Sequence, residues 1–443
     1  MEHYQSKSKI KSSVKEALSK STSHGIPNIV STDKWSIRLI WIVSTLLSTA
    51  LCGLLIAQNF LNYYEYEVTT KIREKYDYVV EFPSVTVCNF GRFSSEYGYN
   101  FSKFADKIRL LSNDSIRSDS NFAIQYALSQ NLTEIRKFGD SLSKLVKFYK
   151  FESRPKNLSL DFTNFFSPYF TNCYIFNPPF YEDGTPRKPT MTASSGVVFV
   201  HEFGSHPLTA APIFVLPQKS TYIGIKRRHS TQLPKPYSSC DEATDDPNKY
   251  DSEIYKAIHN TSFKYSQSLC IDLCFQKLAI ENCSCFYYVY ALFPEGRPCL
   301  KESEFKCVSN FYACLMETDY LNKVCLAKCP LECSSTEYIK SVSTYSLLDA
   351  DLDEADITVF LEDYVVTEIE EAAVMDVAVL LSNIGGIAGL FLGVSFLSFI
   401  EILACLAEIT IIFFRKGGKI GDYQNSDSNS EKPEEDDSKN GNI

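Results

Sequence analysis

The chain has 443 residues, a formal net charge of -10, 22% charged residues, fifteen cysteines and six histidines. The acid excess argues against nucleic acid as a partner, because phosphate binding needs a clustered basic face, and it suits an extracellular surface that attracts cations. The histidines fall at no metal-ligand spacing and no Gly-rich phosphate loop follows a strand, so no enzyme class is indicated and no cofactor is implied.

Lys7 to Lys20 form a mildly basic segment ahead of the first of two uncharged apolar runs, Leu39 to Leu61 and Val377 to Ile400. At 1.5 Å per residue each run is long enough to cross a hydrocarbon core of about 30 Å as one helix. Lys34 and Arg38 precede the first run and Arg415, Lys416 and Lys419 follow the second, while Glu65, Glu67, Glu370, Glu371 and Asp376 line the inner margins. Basic flanks stay in the cytoplasm, which puts both termini inside, and Trp35 and Trp41 stand where an interfacial anchor would. The first run is too long for the apolar stretch of a cleaved signal peptide and lies behind a polar tail. The expected divisions are a cytoplasmic segment over 1–36, a first transmembrane helix over 37–61, an extracellular domain over 62–376, a second transmembrane helix over 377–414 and a cytoplasmic tail over 415–443. From Asn425 that tail lacks aromatics and is expected to be disordered.

Between the runs lie six sequons, at Asn100, Asn113, Asn131, Asn157, Asn260 and Asn282, with none in either tail. Their distribution agrees with an extracellular, glycosylated middle. Tyr78 to Cys88, Val197 to Val200 and Ile357 to Val366 are β-branched and aromatic and predict strands. Residues 100 to 150 show helical spacing and predict peripheral helices, giving an α+β ectodomain with a sheet core.

Cys52 and Cys405 lie within the spans, whereas thirteen cysteines sit in the oxidising compartment and are expected to pair. Cys270 and Cys274 are four apart, as are Cys325, Cys329 and Cys333, so each set reads as one face of a helix. Repeated bridging of two such faces requires antiparallel helices and nested pairs. The predicted pairs are Cys240 with Cys333, Cys270 with Cys329, Cys274 with Cys325, Cys283 with Cys307, Cys285 with Cys299 and Cys88 with Cys173, leaving Cys314 over.

In the second run Gly385, Gly389 and Gly393 recur every four residues beside Gly386, and Glu401 and Glu408 follow. Gly393-Val394-Ser395 is no nucleophile elbow, since no glycine stands two residues on. A helical face without side chains permits close helix packing, and an ionisable residue in a span usually faces a wet cavity. Together they predict a pore built from several copies, with a constriction at Gly393 to Ser395 and a carboxylate ring at Glu401 that favours cations. Simple dimer packing through the glycines is the plainer alternative.

From about His24 to Arg415 the chain carries His24-Gly25, FPSVTVCN from Phe82, NCYIFN from Asn172, LPKPYSSC from Leu233, CPLEC from Cys329 and GGIAGLFLGVSFLSFIE from Gly385. On these motifs it resembles the epithelial sodium channel/degenerin/acid-sensing superfamily of trimeric, sodium-selective, amiloride-sensitive channels. It implies a palm, thumb, finger, knuckle and β-ball ectodomain with a nested thumb disulfide ladder, a selectivity filter at Gly393, Val394 and Ser395, and a gating role for His24 and Gly25. It also implies pore-lining positions at Ser382, Asn383, Gly386, Gly389, Glu401 and Glu408, and a gating contact between Tyr66 and Tyr237. Asn383 stands where relatives often carry an acid, which weakens the calcium site implied at the outer pore.

The short chain and reduced finger, which lacks one disulfide of the acid-sensing channels, are most similar to the cnidarian peptide-gated branch. That branch implies plasma-membrane heterotrimers of homologous subunits opened by extracellular RFamide neuropeptides. Acid gating is the alternative, with Asp241, Glu242, Asp245 and Asp246 as the candidate cluster. Two further readings are a nucleotide-gated receptor, for which only Lys226, Arg227 and Arg228 offer a basic cluster, and a non-conducting adhesion ectodomain, which would not need Glu401.

Overall fold

The computed structural model describes residues 19, 24–76, 82–91, 93–111, 123, 128, 135–150, 161–167, 169–177, 190–194, 196–286, 296–317, 320–347 and 354–417. The expectations placed on Lys7 and Lys20, on Asn113, Asn131 and Asn157, and on the tail from Asn425 fall outside these residues. The chain divides into one unit of Met1–Glu67 with Val374–Ile443 and another of Val68–Ala373.

The strands of the second unit are, in order, β1 (Val68–Tyr76), β2 (Ser84–Asn89), β3 (Val146–Lys150), β4 (Phe162–Ser167), β5 (Thr171–Phe176), β6 (Thr190–Ser194) and β7 (Gly196–His201). They continue with β8 (Ile213–Val215), β9 (Lys219–Thr231), β10 (Cys240–Asp241), β11 (Leu331–Glu332), β12 (Ser334–Ser346) and β13 (Glu354–Ala373). One sheet runs β12-β9-β13-β6-β3, with β1 also pairing β13, and a second runs β4-β5-β2-β7-β8. Strands β2, β5 and β7 are buried along their whole length, with polar positions such as Ser84, Thr86 and Asn172 buried as well. Val85, Val87, Phe176, Val198 and Val200 pack against Ile223, Ile225, Ile357 and Val359 of the other sheet to form the main core. Their alternate neighbours Cys88, Cys173, Val197 and Phe199 close the opposite face.

The helix Gln267–Cys283 opens on a Ser266 cap and ends at Ser284 in the left-handed region. Disulfides tie it and its surroundings together at Cys270–Cys329, Cys274–Cys325 and Cys283–Cys307, with Cys240–Cys333 at the base and Cys285–Cys299 at the tip. Cys88 and Cys173 are direct cross-strand partners on β2 and β5. These are the six pairs expected from spacing, but the helical reading of one set is corrected: Tyr320–Cys325 ends at Cys325, and Cys329 and Cys333 follow in a turn and beside β11. Nesting therefore needs only one helix and a chain returning antiparallel to it. The expected peripheral helices appear as Glu96–Leu111, whereas Val146–Lys150 is strand β3.

In the first unit the helix Trp35–Tyr64 has 30 residues, about 45 Å at 1.5 Å per residue, and is apolar enough to cross a membrane. The second apolar run is not one helix. It divides into Val377–Leu392 and Phe396–Gly417, separated by Gly393, Val394 and Ser395.

Replacing fully buried Ile223 with Ala is expected to destabilise the ectodomain by about 2–5 kcal/mol, whereas Ile339→Ala, on half-open β12, stays within about 0.5 kcal/mol. Chemical denaturation of the detergent-solubilised chain measures both.

Candidate functional site

Asp376 caps the helix Val377–Leu392, its side chain accepting from the Val379 N–H at 2.7 Å. The helix stops at Gly393, whose φ of 65° is a left-handed conformation that a side chain strains. The Gly393 N–H donates to the Gly389 carbonyl at 3.0 Å and the Val394 N–H to the Ala388 carbonyl at 3.4 Å. Stopping there leaves the Leu392 carbonyl without a helical donor below it, and the His24 N–H donates to that oxygen at 3.2 Å. A Cβ on Gly393 would lie 2.7 Å from both Cγ and Cε1 of the His24 ring, so the absent side chain is what admits the histidine.

His24 is held there by a local turn. Asn28 Nδ2 donates to the His24 carbonyl at 3.1 Å, the Ile29 N–H donates to Gly25 at 3.2 Å, and Pro27 starts the short helix Ile26–Ser31. A Cβ on Gly25 would press on Thr45 of the long helix, within 3.0 Å of its Cγ2. The His-Gly pair thus fits because each glycine lacks a side chain where a neighbour needs the room. Thr45 had no signal in the sequence, since its hydroxyl simply bonds the Trp41 carbonyl at 2.7 Å.

The break corrects the continuous glycine face. Gly385, Gly386 and Gly389 lie on the upper helix, but Gly393 ends it, and Glu401 belongs to the lower helix with an exposed side chain. A Cβ on Gly385 or Gly386 would meet nothing within 4 Å in the protomer. The side chain of Glu408 lies outside the described residues. Ser382 Oγ donates to the Ala378 carbonyl at 2.8 Å. Asn383 Nδ2 donates to Asn59 Oδ1 on the long helix at 3.1 Å, and Asn59 Nδ2 bonds the Leu55 carbonyl at 2.9 Å, which fixes both amide orientations. Asn59, 324 residues away, is a partner no local pattern announces.

Tyr66 has a left-handed φ of 51° and packs against Tyr63 and Tyr64. It belongs to the first unit and Tyr237 to the second, where the Tyr237 N–H donates to the Pro234 carbonyl at 3.1 Å. Asn100, Asn260 and Asn282 are exposed.

In the ectodomain a cleft of about 770 Å³ is lined by His201, Glu202, Asp241, Glu242, Asp245 and Lys264 among others. Hydrogen bonds from Tyr250 and the Ala243 N–H hold the Asp241 carboxyl below its usual range. The basic trio is dispersed, with Lys226 paired to Asp363 at 3.4 Å and Arg228 to Glu337 at 3.4 Å. Two buried histidines that the sequence did not single out are held at about 4, mainly by desolvation. His201 Nε2 lies 2.8 Å from Thr86 Oγ1, and the Lys340 amine opposes its protonation. The His206 ring stands edge-on to Phe165 and Phe263, while Lys264 pairs with Glu202 at 3.2 Å beside it.

A family profile described as amiloride-sensitive sodium channel matches residues 17–404. The chain is 26% identical over 327 residues to the epithelial sodium channel subunit beta of Bos taurus, covering 63% of this chain and 50% of that protein. It is 26% identical over 464 aligned residues to acid-sensing ion channel 1 of Gallus gallus, covering 90% of this chain and 84% of the relative. Acid-sensing ion channel 2 of Homo sapiens is 23% identical over 466, covering 90% and 86%. The chain spans about half the length of the epithelial relatives it matches.

Replacing Asn59 or Asn383 with Leu is expected to destabilise the helix pair. The double variant should lose less than the sum, with a coupling of about 0.6–1.7 kcal/mol in a thermal-unfolding cycle.

Because the folded state depresses the two histidines from 6.5 to about 4, the unfolded chain binds more protons in that window. Ectodomain stability should fall as pH drops from 6.5 towards 4, and His201→Gln with His206→Phe should flatten the fall. Asp272, raised by burial to about 6, works in the opposite direction, so Asp272→Asn should steepen it. Melting temperature against pH reads all three.

Proposed function

The chain belongs to the amiloride-sensitive sodium channel family, and from that membership we propose that it is a pore-forming subunit of a sodium-selective channel opened by extracellular RFamide-type neuropeptides and blocked by amiloride. Its relatives are ion channels and not enzymes. On this reading three homologous subunits, alike or mixed, sit in the plasma membrane with both termini cytoplasmic and the sequon-bearing unit outside. Gly393, Val394 and Ser395 form the filter and Glu401 a carboxylate ring beneath it, while His24, Gly25, Tyr66 and Tyr237 serve gating.

The observation that carries the reading is the three-residue break between two apolar helices. Non-helical backbone at membrane depth is tolerated only where protein buries it or water reaches it. His24 satisfies the Leu392 carbonyl beside this break, and a water-filled axis is a setting in which such non-helical backbone can line a pore. Glu401 supports the same axis, because an ionisable residue on a membrane helix usually faces a water-filled cavity. Calcium binding at the outer pore is not favoured, since Asn383 is neutral and its amide is engaged with Asn59.

Peptide gating rests on the resemblance of the compact ectodomain, and the carboxylate-lined cleft suits an arginine-bearing ligand. Gating by the Asp241 cluster is disfavoured, because acid sensing needs raised carboxyls and Asp241 is lowered.

Oocytes expressing the chain, alone and with homologous subunits, should pass an amiloride-blocked sodium current on addition of RFamide peptides. Glu401→Gln should lower unitary sodium conductance about twofold by removing the ring charge. A current opened by pH steps and indifferent to peptide would replace peptide gating with acid gating. Absence of any amiloride-sensitive current under either stimulus would overturn the channel reading.

A further inference from the structure

The lower helix Phe396–Gly417 begins directly beneath the break, and two serines close its first turn. The Ser395 N–H donates to Ser398 Oγ at 3.0 Å, and the Ser398 N–H returns a hydrogen bond to the Ser395 carbonyl at 3.0 Å. The two hydroxyl oxygens stand 3.5 Å apart. The Ser398 hydroxyl thus makes the half of a capping box in which the third helical residue accepts from the cap N–H, with serine in place of the usual Glu or Gln, while the Ser398 N–H closes a backbone turn on the Ser395 carbonyl.

The contrast with the other hydroxyls of these helices is informative. Thr45, Thr49, Ser382 and Thr410 all bond the carbonyl four residues back, the ordinary solution for a hydroxyl on an apolar helix. Four residues before Ser398 is Val394, which is outside both helices, and the Ser398 hydroxyl turns to the Ser395 peptide. Ser398 is also 6% exposed while Leu397 and Ile400 beside it are 65% and 49% exposed, so its hydroxyl is directed inward.

We infer that Ser398 is a positioning residue that sets ion selectivity: its hydroxyl fixes the Ser395 peptide and thereby the lower edge of the constriction. The upper edge is fixed independently by the left-handed Gly393 and by His24 on Leu392. Discrimination between monovalent cations depends on how many oxygen dipoles meet the ion and how firmly they are held, so an edge freed to rotate loses it. The inference rests on the proposed reading of Gly393 to Ser395 as the filter.

The test uses the full chain with Ser398→Ala, which removes the hydroxyl, and Ser398→Thr, which keeps it. Hydrogen exchange of the segment covering residues 393–400 in the solubilised chain reports the cap without needing current, and bi-ionic reversal potentials report the sodium over potassium permeability ratio. Ser398→Ala should speed exchange and lower the ratio about fivefold, within the range that a lost helix cap commands, and Ser398→Thr should restore both. Unchanged exchange in Ser398→Ala overturns the cap. Faster exchange with an unchanged ratio overturns the selectivity role while leaving the channel reading intact. A wild-type chain that conducts nothing overturns the channel reading and the selectivity role with it, and the exchange measurement separates that failure from loss of the cap.

Discussion

A peptide group in apolar surroundings must find a hydrogen-bond partner, and the second apolar run contains three residues that a helix does not serve. Around them several groups are answered by different devices. Gly393 and Val394 turn their N–H groups back onto Gly389 and Ala388, His24 supplies a donor to the Leu392 carbonyl, and Ser398 supplies an acceptor to the Ser395 N–H. The first device needs a residue at ease with positive φ, the second a chain segment from the other end of the sequence, and the third a hydroxyl one turn below. Remove any of the three and a polar group is left unsatisfied in the place where that costs most. The His-Gly pair is therefore part of the break rather than an appendage to it, and Gly25 in turn depends on the shape of Thr45.

Much of this was legible in the sequence and some of it was disguised. A four-residue glycine spacing continues unbroken through Gly393, so periodicity alone reads one helix from Val377 onwards. The stop and start signals were nonetheless present. Glycine is the commonest residue just beyond a helix, and Ser395 with Ser398 has the spacing of a cap. They were outvoted because apolar residues surround them on both sides, where a soluble helix would have changed polarity. The disulfide partners were readable because spacing of four constrains which sulfurs meet, yet the same spacing wrongly implied a helix through Cys329 and Cys333. The Asn59 and Asn383 pair was beyond any local reading, since neither residue has a neighbour that hints at the other.

The ectodomain shows the same division between pattern and context. Strands β2 and β7 announce themselves because both faces are covered and every position is buried. Strands β1 and β12 do not, being largely exposed and rich in Thr, Ser, Lys and Glu, and they are strands because β13 and β9 provide a ladder for them. Charge clusters in the sequence suffer likewise. Alternation along β9 sends Lys226 and Arg228 to one face and Arg227 to the other, dissolving a phosphate site. The acidic loop after Cys240 is clamped instead of strained: the Tyr255 hydroxyl reaches the Thr244 and Asp246 carbonyls at 2.7 Å each, and Tyr250 holds Asp241.

On the proposed reading, what calls for neighbouring copies is polar rather than apolar. Gly385 and Gly386 face open space within the protomer, but bare glycine in hydrocarbon carries little penalty, because lipid tails solvate it about as well as another helix would. Glu401 is different. An ionisable side chain on a membrane helix usually faces a water-filled cavity, and a lone pair of spans cannot enclose water. The glycines then act as permission, letting helices approach closely once the polar groups have required them to meet.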